Sequence, residues 1–383
     1  MRPRPSAAWI VAALLACPAA GGDAVEPDDR AMAAGLRALI AAQSADGGWR
    51  SRTYGAFKDG LSLTPTVLKA IAFAPAVEGS EAARRQGAAF LAARVRADGS
   101  IDDGPSGMLY PVYTASAATI ALSRVYVPGG LAAQEAFVAE LRRRQLGGRL
   151  GWRPADDAFG AWGYAVEPPG RPDTPGPGLT VDADLSSTLF AVSALRISGV
   201  PADDPAILAA LRFVERCQND GEGGDGGFFL TPTDPARNKA GASLGGRPHS
   251  YGSATADGLR ALLRCGVAPG HPRARAARAW LERHFSATTV PGTFEAAREP
   301  DRDATYFYYA WSVAHAFRSL GLRTIERDGR KVDWGDELAA ELARRQRPDG
   351  TWSNRFSASK EDDPLVATPF ALGALGHCRP PPP

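Results

Sequence analysis

Carboxylates are the first residues able to do chemistry. Asp182-Ala183-Asp184-Leu185 places two acids two residues apart at the head of an apolar segment. A carboxyl pair at one end of a helix can act as general acid and base, so Asp184 and Asp182 are the catalytic candidates. A plainer role fits the same residues. An aspartate ahead of Ser186, Ser187 and Thr188 can cap a helix by accepting its free backbone NH groups, and capping favours the charged carboxylate rather than a proton donor. Asp257 supplies a third acid on a different segment. Aromatic faces stabilise cations, and Tyr110, Tyr113, Phe190, Tyr251 and Phe370 fall at or near apolar segments of this kind. The run Tyr306-Phe307-Tyr308-Tyr309 with Trp311 stands out, because four successive aromatics on a helix cannot share one face and three buried hydroxyls need partners. His315, one or two turns on, can share a face with Tyr308 or Trp311, as a ligand contact or as a hydrogen-bonded structural residue. Tyr113, Tyr251, Tyr306, Tyr308, Tyr309, Trp311 and His315 are therefore the ligand-binding candidates.

Metal chemistry finds little support. A catalytic zinc needs three close ligands with an open fourth position. Asp257 and Cys265 share one segment, and His377-Cys378 lie far along the chain beside the Pro-rich end. That pair reads as a polar cap. No metal and no cofactor are expected. Cys217, Cys265 and Cys378 form no CxxC pair, and one disulfide among them is allowed without being indicated.

The elements that must position these residues repeat along the chain. Each unit is an amphipathic helix, a Gly-rich turn with an aromatic or apolar residue, a loop and a more apolar helix. The turns are Gln43 to Trp49, Arg96 to Ile101, Gln145 to Trp152, Gln218 to Phe228, Pro291 to Phe294, and Gln346 to Trp352. They recur roughly every 50 to 75 residues, long for a repeat because each unit holds two helices and a variable loop. Thr64, Thr188, Thr255 and Thr368 each stand six positions before an Ala followed by Ile or Leu, while Ala115 and Tyr308 take that place in the other units. Thr64-Pro65 and Thr368-Pro369 suit an N-cap followed by a first helical position. First helices with one apolar stripe form an outer layer, and second helices apolar nearly all round form an inner one. Six such pairs closed in a ring make an all-α fold, an α/α toroid of about twelve helices over residues 25–378, one domain despite the length. All outer-to-inner loops, including the Pro/Gly-rich insertions from Glu167 to Val181 and from Thr231 to Arg247, gather at one rim, where a site is expected.

Composition excludes other classes. The 383 residues are 44% hydrophobic and 22% charged, with formal charge +2, which is globular and near neutral. No field attracts nucleic acid. Arg2 and Arg4 precede an apolar run from Ala7 to Ala16, too short to span a bilayer, so residues 1–24 read as a signal peptide. Leu14-Leu15-Ala16-Cys17 also resembles a bacterial lipobox, in which lipidated Cys17 would tether the protein to a membrane. The expected location is periplasmic, extracellular or lipid-anchored. Residues 379–383 form a Pro-rich tail, and the sequence sets no oligomeric state.

From roughly Arg30 to Leu375 the chain resembles a known group. The turns Gln43 to Trp49 and Gln346 to Trp352 look like the repeats of squalene-hopene cyclases and protein prenyltransferase β subunits. Tyr251-Gly252-Ser253-Ala254-Thr255, Tyr306 to Tyr309, Val332-Asp333-Trp334 and Arg347 to Trp352 are similar to secreted bacterial prenyltransferase/squalene-oxidase-repeat proteins. The resemblance implies the toroid, and an apolar or isoprenoid small molecule as partner. Class II cyclases protonate an alkene with the middle Asp of Asp-x-Asp-Asp. The match would make Asp184 the acid, although Leu185 replaces the last carboxylate. The zinc of the prenyltransferases lacks its histidine here. Two alternatives stay open: a non-catalytic scaffold or binding protein, and a carbohydrate-processing barrel using Asp182 with Asp184, or Asp257. Intact mass of the exported protein should separate a lipidated Cys17 from a chain cleaved near Gly22 or Ala24.

Overall fold

The computed structural model describes residues 27–104, 107–173 and 181–379. The expected signal peptide with Cys17, most of the Pro-rich tail, and residues 174–180 lie outside the described residues. Twelve α-helices follow in order: α1 (Pro27–Ala41), α2 (Thr64–Phe73), α3 (Ser80–Ala92), α4 (Pro111–Leu122), α5 (Gly130–Arg144), α6 (Leu185–Ile197), α7 (Pro205–Arg216), α8 (Gly252–Arg264), α9 (Pro272–His284), α10 (Tyr306–Ser319), α11 (Trp334–Arg345) and α12 (Pro364–Cys378). The even-numbered helices pack side by side in chain order, and α12 returns to α2. Most of their residues are apolar or small, with Asp257, Arg260 and Arg264 of α8 as exceptions, and α4, α6 and α8 are buried along almost their whole length. The odd-numbered helices bury one stripe only, as α7 does with Ile207, Ala210, Phe213 and Val214. Six helix pairs thus close into a ring, and α1 docks on α11 and α12.

Four of the six turns are held by a common pattern of hydrogen bonds. The side-chain amide of Gln43 donates to Gly47 in its own turn (2.9 Å) and to Ala83 on the following outer helix (3.0 Å). Gln145, Gln218 and Gln346 repeat this with Gly160 and Ala206, Gly226 and Arg273, and Gly350 and Ala31. The last of these links α11 to α1 and completes the circle. Indole NH groups of Trp49, Trp162 and Trp352 each donate at 2.7 Å to a leucine carbonyl on the preceding outer helix. Backbone NH groups of Trp49, Trp162, Phe228 and Trp352 donate to the hydroxyls of Thr64, Thr188, Thr255 and Thr368. These bonds satisfy buried backbone groups that no helix or strand could pair.

Two expectations change. The repeat threonines are not N-caps. Thr64 is the first residue of α2 and makes no capping bond, while Asp363 caps α12, leaving Thr368 and Pro369 inside that helix. Their hydroxyls hold the turns instead. The third turn ends at Trp162 rather than Trp152, because Gly160 (φ 91°) brings the chain against the Ala209 carbonyl of α7, so close that a Cβ would lie 1.9 Å from that oxygen. The helical fold also carries one two-stranded hairpin, Thr324–Arg327 (β1) with Arg330–Asp333 (β2). Asp328 and Gly329 both take positive φ, the requirement of a two-residue turn that Asp-Gly meets.

No helix among the described residues is long and apolar enough to cross a membrane. Replacing Thr368 by Val keeps shape but leaves the Trp352 NH unpaired in the core. We expect Thr368→Val to cost about 1–3 kcal/mol, read by urea unfolding.

Candidate functional site

Every inner helix starts at the loop rim and runs toward the other end of the ring, so its first turns line the mouth. A cavity of about 310 Å³ opens there, between the starts of α2, α4, α6, α8, α10 and α12 and the loops that precede them. Its lip is made by Phe57, Tyr110 and Lys360. Tyr110 (φ 60°) and Lys360 (φ 59°) are two of only three non-glycine residues with positive φ among the described residues. The Lys360 ammonium lies 5.7 Å from the Tyr110 ring and 5.1 Å from that of Tyr54. Strained backbone held at a cleft is a mark of function.

The walls are aromatic with scattered polar groups. Tyr113 shares a hydrogen bond with Tyr164 (3.1 Å) and another with Ser186 (2.7 Å), and the two tyrosine rings stack with centroids 5.4 Å apart. Tyr251, Leu185, Leu230 and Val366 add apolar surface, and Ser62, Thr66 and Ser253 add hydroxyls. The Thr114 hydroxyl, buried in the wall, has no protein partner. Below lies a cluster of rings from three helices: Phe190, Tyr308, Trp311 and Phe370, with centroids 5.3–6.4 Å apart.

Two carboxyls reach the cavity. Asp257, on α8, accepts hydrogen bonds from Tyr308 (2.6 Å) and Ser312 (2.5 Å) of α10, with the Arg260 guanidinium 3.5 Å away. Burial pushes its pKa up to about 6, against the pull of Arg260. Glu361 accepts the backbone NH groups of Phe307 (3.0 Å) and Tyr308 (2.8 Å) at the start of α10, and the Asn354 amide. Burial raises it to about 7. Lys239, also in the wall, donates to Ser359 (3.2 Å), and burial lowers its pKa.

The structure redistributes the expected site residues. Tyr113, Tyr251 and Tyr308 line the cavity. Tyr306 and Tyr309 do not, since one turn of α10 carries them to the outer layer. Tyr306 donates to the Ala287 carbonyl (2.5 Å) beneath Arg345, and Tyr309 to the Ser286 carbonyl (3.0 Å). Trp311 packs under the floor, and His315 lies farther along α10, stacked on His377 with centroids 4.3 Å apart.

Asp184 is fully buried and is not among the cavity-lining residues. It is the N-cap of α6, accepting from the Ser187 NH (2.8 Å), both serine hydroxyls and Arg237 (3.0 Å). Burial raises its pKa, opposed by Arg237. Asp182 accepts from the same guanidinium (2.8 Å) and from the Ala165 NH. The pair thus ties the 231–247 insertion to the rim, leaving neither carboxylate open to the cavity. Sequence reasoning passed over Tyr164, Lys239, Lys360 and Glu361. The signal for Glu361 was present in Glu361-Asp362-Asp363 just ahead of Pro364, an acidic run before a helix.

No protein-family model and no curated protein matches the sequence. Solved structures do match. A type II terpene cyclase from Scytonema, in complex with its substrate geranylgeranyl dihydroxybenzoate, superposes with a TM-score of 0.55 at 14% identity, covering 92% of this chain and 97% of that one. The cellobiose 2-epimerase of Spirochaeta thermophila gives 0.57 at 13% identity, covering 90% and 93%, and a protein from Actinoplanes gives 0.53 at 18%, covering 92% and 99%. The chain is an α/α toroid. Likeness at these identities establishes that fold and its ring of inner helices, and it is shared by cyclase and sugar epimerase alike. Among the described residues no group of three His, Cys, Asp or Glu side chains could hold a metal.

Asp257 and Glu361 have folded pKa values above the ordinary 3.8 and 4.5, so folding favours their neutral forms. Their contribution to stability is present below about pH 4 and lost as pH rises through 6 and 7. The Asp257 shift corresponds to about 3 kcal/mol. Asp257→Asn should therefore gain about that much on the wild type between about pH 4 and 7.5, measured by urea unfolding at both values.

Proposed function

We propose that the protein binds an amphiphilic, isoprenoid-type molecule in the toroid cavity, and that Asp257 is the proton donor to it. One observation carries the reading: a buried carboxyl at the end of an aromatic-walled cavity. An apolar chain would lie against Tyr113, Tyr251, Tyr308 and Phe370, and a polar head would meet Lys239, Lys360 and the unpaired Thr114 hydroxyl. The cavity is at the small end of the usual range for ligand sites. The Scytonema cyclase, whose substrate joins a geranylgeranyl chain to a polar ring, supports a ligand of this two-part kind. Export rests on the N-terminal pattern from Arg2 to Ala16.

The chemistry follows from the groups around Asp257. With a pKa near 6, much of the carboxyl is neutral in mildly acidic solution and has a proton to give. Transfer to an alkene carbon of the ligand leaves a carboxylate and a carbocation. The carboxylate is met by the hydroxyls of Tyr308 and Ser312 and by Arg260, so its charge is stabilised where it forms. The cation lies near the Tyr308 and Phe370 rings. Return of a proton to the carboxylate from a neighbouring carbon completes a rearrangement or cyclisation with no co-reactant.

The carbohydrate alternative needs two free carboxylates flanking the bond. Both Glu361 oxygens are taken by backbone NH groups, which leaves Asp257 alone. A scaffold is expected to have a filled centre, whereas this ring encloses a cavity of about 310 Å³.

Native mass spectrometry of the protein incubated with geranylgeraniol should show one retained molecule, and no retention would overturn the binding reading. Asp257→Asn should keep binding while lowering product formation by at least about a hundredfold. Unchanged turnover would remove Asp257 as the acid.

A further inference from the structure

The opposite end of the ring carries a separate set of side chains. Because all six inner helices run from the loop rim toward it, residues late in those helices converge there. Beneath Trp311 are Lys69 from α2, Arg260 and Arg264 from α8, His315 from α10 and His377 from α12. The Arg260 guanidinium lies 4.2 Å and the Lys69 ammonium 4.8 Å from the Trp311 ring centroid, and His315 is 5.9 Å from the same ring. Lys69, Arg264, His315 and His377 are half-buried, so solvent reaches them.

Two of these basic groups, Lys69 and Arg264, have no carboxylate partner among the described residues. Arg260 is compensated by Asp257 (3.5 Å) and donates to Ser312 (2.9 Å), which leaves neither partner for Lys69 or Arg264. Against α2, helix α4 presents no charged side chain, α12 presents only His377, and on α3 the one acid, Glu81, is paired with Arg84 and Arg85. Helix C-termini account for part of the positive charge: Arg196 donates to the Val200 carbonyl and Arg318 to that of Arg379. They do not account for Lys69, whose ammonium lies over the rings of Phe190 (5.1 Å) and Trp311 (4.8 Å), or for the buried His315 Nδ1, which has no hydrogen-bond partner among the described residues. The electrostatic cost is visible. Burial and Arg260 push Lys69 down to about 7. Burial, with Arg260 next, holds His377 near 3 and His315 well below its usual value.

We propose that this end of the ring is a second binding site, one that takes a phosphate-type oxyanion between Lys69, Arg264 and the His315–His377 pair. Phosphate offers several acceptor oxygens and up to two negative charges, matching the three donors of a lysine, the fork of an arginine and an unpaired imidazole nitrogen. The Phe190, Tyr308, Trp311 and Phe370 rings lie between this site and the upper cavity, with Arg260 reaching from Trp311 to Asp257. The phosphate can be free or part of an anionic lipid headgroup.

Calorimetric titration of the full chain with inorganic phosphate at pH 8, in two buffers of different protonation enthalpy, tests the proposal. Wild type should bind saturably and take up protons, because the anion restores the charge of Lys69. Lys69→Met should weaken binding at least tenfold and abolish the uptake without lowering the melting temperature in phosphate-free buffer. Arg264→Gln should weaken binding independently. Co-sedimentation with phosphatidic acid vesicles, but not phosphatidylcholine vesicles, lost in Lys69→Met, would assign a lipid headgroup. Saturable phosphate binding without vesicle capture would assign a free ion. Absence of both, or equal affinity in wild type and both variants, overturns the proposal. Retention of geranylgeraniol by the same variants keeps this result separate from the reading of the upper cavity.

Discussion

A glutamine side chain that bonds its own turn and the next outer helix is the interaction on which the ring depends. One amide NH₂ group has two donors, and Gln43, Gln145, Gln218 and Gln346 each spend them on carbonyls in different units. The aromatic residue that follows then fixes the radial direction, with its indole on the outer helix and its backbone NH on the threonine of the inner one. The two units with Ala115 and Tyr308 in place of threonine have no threonine hydroxyl close to the backbone to accept that bond. In the unit of α10 that position became free for Tyr308, whose hydroxyl instead holds Asp257. A lapse in the repeat is thus what places a polar contact inside the ring.

The interior trades stability for charge. Asp184, Asp257 and Glu361 are all buried, and burial raises each of them. They differ in what opposes it. Asp184 is an N-cap with an arginine across it, and its work is to anchor a loop. Glu361 uses both oxygens on the backbone of α10 and orders the helix that carries Tyr308. Asp257 alone is held by side chains from a neighbouring helix and faces the cavity. A carboxyl whose partners are hydroxyls can change protonation with little rearrangement, whereas one tied to backbone NH groups cannot.

Much of the fold was legible because it repeats. Turn spacing, the apolar inner helices and the threonine register together gave six pairs, and closure of α12 on α2 agrees. The third turn was misplaced because Gly151-Trp152 and Gly160-Ala161-Trp162 offer the same kind of ending, and only the approach of α7 to Gly160 decides between them. Within the site, Tyr113 and Tyr308 could be found from aromatic position on inner helices. Tyr306 and Tyr309 could not be told apart from Tyr308 until the rotation of α10 was known. The Asp257 environment depends on two helices separated by 41 residues of loop and outer helix between Arg264 and Tyr306, a pairing that no local pattern encodes.

Gln346 on Ala31 joins residues 315 apart in the chain, and Arg379 pairs with Asp29 beside it. An open array of helical hairpins can nucleate anywhere, grow one unit at a time and finish with polar end repeats. A closed circle has no end repeats, and its last contact forms only when the first and sixth pairs find each other across the whole chain. Such long-range closure slows folding. It also makes the seam between first and last units equivalent to any other, so the ring has the geometry of a chain whose starting point could be moved to a different loop without changing what it encloses.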